Sequence, residues 1–163
     1  MSPSRPTSTL KRDPRRVLFL CTGNSARSQM AEALLRHRAG GIFEVHSAGL
    51  RPRPIHPFTY QVMSEIGIDI RGQHSKRLDE VRHLKNILFL IVVCAQAERN
   101  CPESFAPAAV RLFWPIDDPS AVKDDGAAKL RKFRQVRDEI LERIDRWLAE
   151  EVPPEWFHRD QDS

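Results

Sequence analysis

The segment that most limits what this chain can become is Val17-Leu18-Phe19-Leu20, an unbroken apolar run that ends at Cys21 and is followed by a polar loop and a helix-spaced stretch. A continuous run, unlike an alternating one, suits a strand covered on both faces, the usual situation in a parallel sheet between helices. Beyond the loop, Met30, Ala31, Leu34 and Leu35 recur at helical spacing until Gly40-Gly41 stops them. Phe43 to His46 predicts a second strand, with Ser47-Ala48-Gly49 as a turn, and Pro57 to Ile66 a second helix with proline in its first turn and Gly67 past its end. Ile87 to Val93, the most apolar stretch, predicts a central strand, and Arg111 to Trp114 a fourth. From Asp125 to Glu150, the residues Leu130, Phe133, Val136, Ile140, Leu141, Ile144 and Leu148 keep the spacing of a long amphipathic helix, which Pro153-Pro154 ends. Strands alternating with helices predict an α/β fold: three αβα layers around a four-stranded parallel sheet with right-handed crossovers.

A chain of 163 residues fits one domain able to bury its own core. The proline-bearing start, 1–14, and the end, 152–163, read as tails around a catalytic domain at 15–151. No apolar run approaches the roughly 18 to 20 residues of a membrane span, and the N-terminus lacks a signal peptide's apolar core, so a cytoplasmic location is expected, with no membrane partner. A net charge of +4 suits anionic ligands, and no aromatic-interleaved basic stripe points to nucleic acid. Three cysteines, an odd number, argue against a structural disulfide framework and leave catalytic, redox or metal roles.

The loop Cys21-Thr22-Gly23-Asn24-Ser25-Ala26-Arg27-Ser28 lies between the first strand and the first helix. A cysteine there stands at the carboxyl end of a parallel strand, where open α/β sheets bind ligands. The backbone amides from Thr22 to Ser28 and the following helix N-terminus can ring a tetrahedral oxyanion, with Gly23 permitting the tight turn. Arg27 can return to the same cradle and hold two oxygens with its planar fork. Its field is expected to lower the Cys21 thiol from about 8.5 into the roughly 3.5 to 7.5 range of activated cysteines. Ser25 and Ser28 can stabilise a thiolate or orient the loop, or one of them can simply cap the helix.

Cys94 and Cys101 follow the central strand, which brings Cys94 to the same sheet edge as Cys21. A thiol delivered there can attack a sulfur adduct on Cys21, and Cys101 can then resolve a Cys21–Cys94 disulfide. A buried strand-end cysteine beside an incidental loop cysteine is the plainer reading. Zinc is disfavoured, since there is no C-x-x-C pair and the histidines show no ligand spacing with these cysteines, so no metal is expected. Asp117-Asp118-Pro119 falls at the same edge and can supply the proton that a leaving oxygen needs, with mutual repulsion keeping one carboxyl protonated. It is also good turn chemistry.

Several ordered motifs carry a resemblance. They are C-T-G-N-S-A-R-S-Q-M-A-E from Cys21 to Glu32, Ser47-Ala48-Gly49, Gly67-Ile68-Asp69-Ile70, Cys94 to Pro102, Trp114 to Pro119, and Phe133 to Glu139. Together they resemble the arsenate reductases of the low-molecular-weight protein tyrosine phosphatase superfamily, in the branch that couples to thioredoxin. The resemblance spans roughly 16–150 and implies Cys21 as nucleophile, Arg27 as oxyanion clamp, Asp118 as general acid, and Cys94 and Cys101 as resolving cysteines. It further implies that Asn24 and Ser28 shape the site and lower the nucleophile's pKa. No cofactor is implied beyond an external dithiol such as thioredoxin, and the protein is expected to be a monomer acting on arsenate.

Some positions depart from the family's pattern. Lys76 stands where some relatives have an acidic residue that binds potassium; its ammonium can fill the cation's place near Asn24, Glu32 and Ser47, or be an ordinary solvated charge. Ala95 replaces an acidic residue, Ala26 replaces the second loop cysteine of eukaryotic-type phosphatases, and no Tyr or Phe follows Pro119. The last two point away from phosphotyrosine. The implied reaction is attack of Cys21 on arsenate, release of arsenite as Cys94 attacks Cys21, and closure of a Cys94–Cys101 disulfide. The competing functions are a phosphatase using Cys21, Arg27 and Asp118 with water, and a non-catalytic oxyanion or redox sensor.

Overall fold

The structure, a computed structural model, describes residues 14–124 and 126–162. The tail expected over 1–14 lies outside these residues apart from Pro14, as does Asp125, the expected start of the long helix. The elements are β1 Arg15–Cys21, α1 Arg27–Ala39, β2 Phe43–Gly49, α2 Pro57–Ser64, β3 Ile87–Val92, α3 Ala95–Asn100, β4 Val110–Phe113 and α4 Ala127–Glu150. Short 3-10 turns occupy Leu78–Val81, Pro119–Ala121 and Pro154–Asp162. The four strands form one parallel sheet in the order β2-β1-β3-β4, flanked by helices, as the sequence predicts.

The order explains the apolar run. Strand β1 is central, paired with β2 on one side and β3 on the other, and Val17 to Leu20 are fully buried. Because all strands run the same way, Cys21 at the end of β1 lies beside Gly49 at the end of β2, while Leu20 pairs with Val92 at the end of β3. Helix α4 buries Phe133, Val136, Ile140, Ile144 and Leu148 as its spacing predicts, together with Trp147 on the same face, seven residues after Ile140. Trp147 is the hub of an aromatic cluster, stacked on Phe43 at 5.5 Å and edge-on to Phe89 at 5.0 Å.

Two expectations change. Ser47-Ala48-Gly49 is not a turn: β2 continues through it, paired with Phe19-Leu20-Cys21, because β1 supplies hydrogen-bonding partners that far. The residues beyond 152 are not all loose, since Trp156 meets Phe43 edge-on at 6.1 Å and carries the Arg15 guanidinium 4.1 Å above its ring. Aromatic area and a cation–π contact hold that end against the sheet.

Candidate active site

The loop from Thr22 to Ala26 turns tightly around the Cys21 sulfur, and its carbonyls are tied outward. Those of Cys21, Thr22, Gly23 and Ser25 accept from the amides of Leu50, Arg51, Arg53 and His56, the chain leaving β2. The Asn24 carbonyl accepts from the Ser75 hydroxyl at 2.7 Å and from Gln29 Nε2 at 3.1 Å. Inside, the Asn24 amide points at the sulfur, 3.1 Å away. The left-handed residue of the turn is Asn24, with φ 49°. Asparagine tolerates that region because its short amide bonds locally. The glycine that the loop cannot do without is Gly49: a Cβ there would stand 2.7 Å from the Thr22 carbonyl oxygen and 2.9 Å from the Asn24 nitrogen.

The polar network below the loop has one consistent direction. The backbone N–H of Lys76 donates to Asn24 Oδ1 at 2.8 Å, which fixes the amide so that its NH2 faces the other way. That NH2 donates to Ser28 Oγ at 2.8 Å and to Ser47 Oγ at 2.9 Å. The Ser47 hydroxyl donates a hydrogen bond to Glu32 Oε1 at 2.5 Å. The Ser28 hydroxyl, accepting from Asn24, keeps its own proton free for the Cys21 sulfur 2.8 Å away, to which it donates when that sulfur is a thiolate. Ser28 therefore serves the thiol and does not cap; the α1 N-cap position is Ala26, with no side-chain bond.

The Lys76 ammonium lies 3.5 Å from Glu32 Oε1, its side chain only 14% exposed, and donates to the His74 carbonyl at 3.0 Å. It is thus held at the carboxylate that ends the Asn24–Ser47–Glu32 chain, and is not a solvated surface charge. Glu32 also binds Arg36 through its other oxygen at 2.6 Å. Two residues of this network were not singled out from the sequence: Gln29, buried and bonded to both oxygens of Asn24, and Ser75. A glutamine standing between the loop and the apolar residues Met30 and Ala31 of α1 was the available signal for the first.

The expected depression of the Cys21 thiol meets an opposing effect that the sequence does not display. Complete burial of the sulfur pushes its pKa up, while the Ser28 hydroxyl, the Arg27 guanidinium and the Ser28 and Asn24 amides pull it down. Burial is the larger effect, so the thiol stands above its ordinary value and its thiolate depends on those four donors.

Arg27 opens α1 with its side chain 12% exposed, donates to the Ile116 carbonyl at 3.0 Å, and places Nη2 3.8 Å from Asp118 Oδ2. The two neighbouring aspartates take different partners. Asp117 is 78% exposed and paired with Lys132 at 3.0 Å. Asp118 Oδ1 accepts from the amide and the hydroxyl of Ser120, at 2.9 and 2.7 Å, and Oδ2 is turned toward Arg27. One Asp118 oxygen thus fixes the turn, and the other lies toward Arg27 at the end of the loop.

Cys94 lies just past β3, buried, with its sulfur 3.2 Å from Thr22 Oγ1 of the loop and accepting from the Ala97 amide at 3.4 Å. Cys101 is buried beyond the far end of α3, and burial raises its thiol against the lowering influence of Arg111 and Arg82. All three cysteines are free. Among the described residues, no group of three or more His, Cys, Asp or Glu is arranged to hold a metal ion, and no helix is long and apolar enough to cross a membrane.

A parallel α/β sheet whose first strand ends in a cysteine, wrapped by a loop with arginine and serine behind it and an aspartate opposite, defines a class. The sequence matches the low molecular weight phosphotyrosine protein phosphatase family over residues 16–155, and the chain belongs to that family. Within this class its similarity runs to arsenate reductases. It is 39% identical over 131 residues to the arsenate reductase of Bacillus cereus, covering 80% of this chain and 92% of the relative. A solved arsenate reductase in its phosphate-binding state superposes with a TM-score of 0.70 at 30% identity, over 83% of this chain and 98% of that one. The thioredoxin-dependent arsenate reductase of Corynebacterium glutamicum superposes with a TM-score of 0.65 at 29% identity, over 88% of this chain and 64% of that one.

Proposed function

We propose that this chain reduces arsenate to arsenite through a thiol relay. The observation that carries the reading is the placement of Cys94, whose sulfur touches Thr22 in the Cys21 loop while Cys101 waits at the other end of α3. Phosphate-ester hydrolysis needs the loop, Arg27 and Asp118 but has no use for a second thiol at the loop's edge.

In this mechanism the Cys21 thiolate, supported by Ser28, Arg27 and the loop amides, attacks arsenic, and Asp118 protonates the departing oxygen. Thr22, Gly23, Asn24, Ser25, Ala26, Arg27 and Ser28 form the oxyanion cradle, and the Arg27 fork holds two oxygens of the bound anion. Cys94 then attacks the Cys21 sulfur, arsenite departs with the electron pair of the Cys21–arsenic bond, and a Cys21–Cys94 disulfide forms. Cys101 attacks Cys94, closes the Cys94–Cys101 disulfide and returns Cys21 as thiolate. The product disulfide passes its oxidation to an external dithiol of the thioredoxin type, with no bound cofactor, in a monomer working in the cytoplasm. Lys76 supplies the positive charge at Glu32, so no potassium ion is required there.

The test is arsenate turnover with thioredoxin and its reductase, measured beside hydrolysis of phosphotyrosine. Reductant-dependent arsenite production with little phosphotyrosine hydrolysis supports the reading. Efficient hydrolysis without reductant-dependent arsenite would replace it with the phosphatase.

A further inference from the structure

The relay demands movement from α3, and one charged pair holds α3 in place. A rise of 1.5 Å per residue puts the Cα atoms of Cys94 and Cys101 about 10 Å apart, beyond the roughly 4.4 to 6.8 Å a disulfide allows. The six-residue helix must therefore open before the two sulfurs can join. Left to itself so short a helix is not stable in water, and the one residue that it buries is Ala97. Its tether is Arg111, on β4 in register with Leu90 of β3 and so part of the fixed sheet. Arg111 Nη2 donates to the Glu98 carbonyl at 3.0 Å, and Arg111 Nε lies 3.5 Å from Glu98 Oε2. Both of those last two atoms are buried without a hydrogen bond, an unusual condition for charged groups and a sign of a pair held loosely.

We infer that Arg111 is a positioning residue for the relay: through Glu98 it keeps α3 helical while the cysteines are thiols, and when α3 opens the same guanidinium is left to act on Cys101 without Glu98. The inference rests on the relay proposed above. Three charged groups act on the Cys101 thiol: Arg111 and Arg82 favour its thiolate, and Glu98 opposes it. Glu98 rides on α3, whereas Arg111 belongs to the sheet. Opening α3 to let Cys94 reach Cys21 carries the opposing carboxylate away and leaves the cation, so Cys101 becomes a better nucleophile when there is a Cys21–Cys94 disulfide to attack. In that step Cys101 loses its proton to solvent, its sulfur bonds to Cys94, and the Cys21–Cys94 bond breaks to give Cys21 thiolate, with no outside oxidant.

The test uses the whole protein, reduced, in a single arsenate turnover quenched with a thiol-blocking reagent and mapped by mass. In wild type the Cys94–Cys101 bridge should dominate. Arg111→Met should still release arsenite in that turnover but pass through visible Cys21–Cys94 disulfide. Its conversion should slow by roughly three- to fourfold for each pKa unit that Cys101 gains, since lost thiolate is offset in part by higher nucleophilicity. The deficit should close as pH rises, and Arg111→Lys should recover most of the rate. Glu98→Gln should do the opposite, with Cys101 alkylated faster than in wild type. Should Arg111→Met fold poorly by thermal melting, Glu98→Gln and Arg111→Lys carry the test. Wild-type conversion rates and pH profile in Arg111→Met, or unchanged Cys101 alkylation in Glu98→Gln, would overturn the inference while leaving the relay intact. Absence of any Cys94–Cys101 bridge in wild type would instead remove the relay, and this inference with it.

Discussion

Replacing Ser28 with alanine is the perturbation that most directly probes how a fully buried cysteine can act as a nucleophile. Burial holds the Cys21 thiol up, and the Ser28 hydroxyl, 2.8 Å from the sulfur, heads the influences that bring it down. A hydrogen bond to a charged acceptor is worth about 1.5 to 3 kcal/mol, or roughly one to two pKa units. Removing a group that stabilises the thiolate raises the pKa, so the rise of reactivity with pH should move upward by about one to two pH units. Below that inflection the rate should fall roughly three- to tenfold, because the scarcer thiolate is also the stronger nucleophile. The assay is the rate of Cys21 alkylation by iodoacetamide across pH, read by peptide mapping, which needs neither substrate nor relay. The same change orphans one donor of the buried Asn24 amide, so stability should drop by about 1 to 3 kcal/mol. An unchanged inflection in a folded Ser28→Ala protein would refute the assignment of Ser28, and with it the donor direction traced from Lys76 through Asn24.

Asp118→Asn should cut the first chemical step by one hundredfold or more, on the order of a general acid's contribution, while Asp117→Asn, exposed and paired with Lys132, should change it little; rapid-quench arsenate kinetics separate them. Lys76→Met should lower kcat/KM for arsenate and make it respond to added potassium, whereas wild type should perform alike in potassium and sodium; a wild-type rate that climbs with potassium would contradict the role given to the ammonium. Folding stability should carry a signature of the two raised thiols. Cys21 and Cys101 hold their protons longer folded than unfolded, so the stability they contribute is complete below the ordinary thiol value and is lost as pH rises through their higher folded values. Urea midpoints at pH 7.5 and pH 10 should diverge less in Cys21→Ser and Cys101→Ser than in wild type.

What the sequence revealed and what it hid divide along physical lines. The buried strand Val17–Leu20 was legible because burial on both faces leaves a continuous apolar run, and strand direction alone put Cys21, Cys94 and Asp118 at one edge. The loop residues were legible from their order after that strand. Trp147 shares the apolar stripe of α4, seven residues after Ile140, but that spacing does not show its place among Phe43, Phe89 and Trp114, which come from other segments. The role of Gly49 was hidden for a similar reason: its need for no side chain arises from the Thr22 carbonyl of a different segment. Gly23 looked like the turn residue by type, yet Asn24 takes the left-handed conformation because its side chain is held from three sides. The thiol's balance was misjudged because charge is visible in a sequence and desolvation is not. Likewise, residue type alone leaves two adjacent aspartates equivalent and only the resemblance singles out Asp118; in the structure Ser120 binds one and Lys132 the other.

The most direct measurement of the central claim is a mass map of the three cysteines after one arsenate turnover in wild type, Cys21→Ser, Cys94→Ser and Cys101→Ser, with arsenite counted in each. The account predicts one arsenite and a Cys94–Cys101 bridge in wild type, and no arsenite from Cys21→Ser. Cys94→Ser should halt at a Cys21–arsenic adduct, and Cys101→Ser should release one arsenite and trap a Cys21–Cys94 disulfide. Full thioredoxin-dependent turnover in both Cys94→Ser and Cys101→Ser would contradict it.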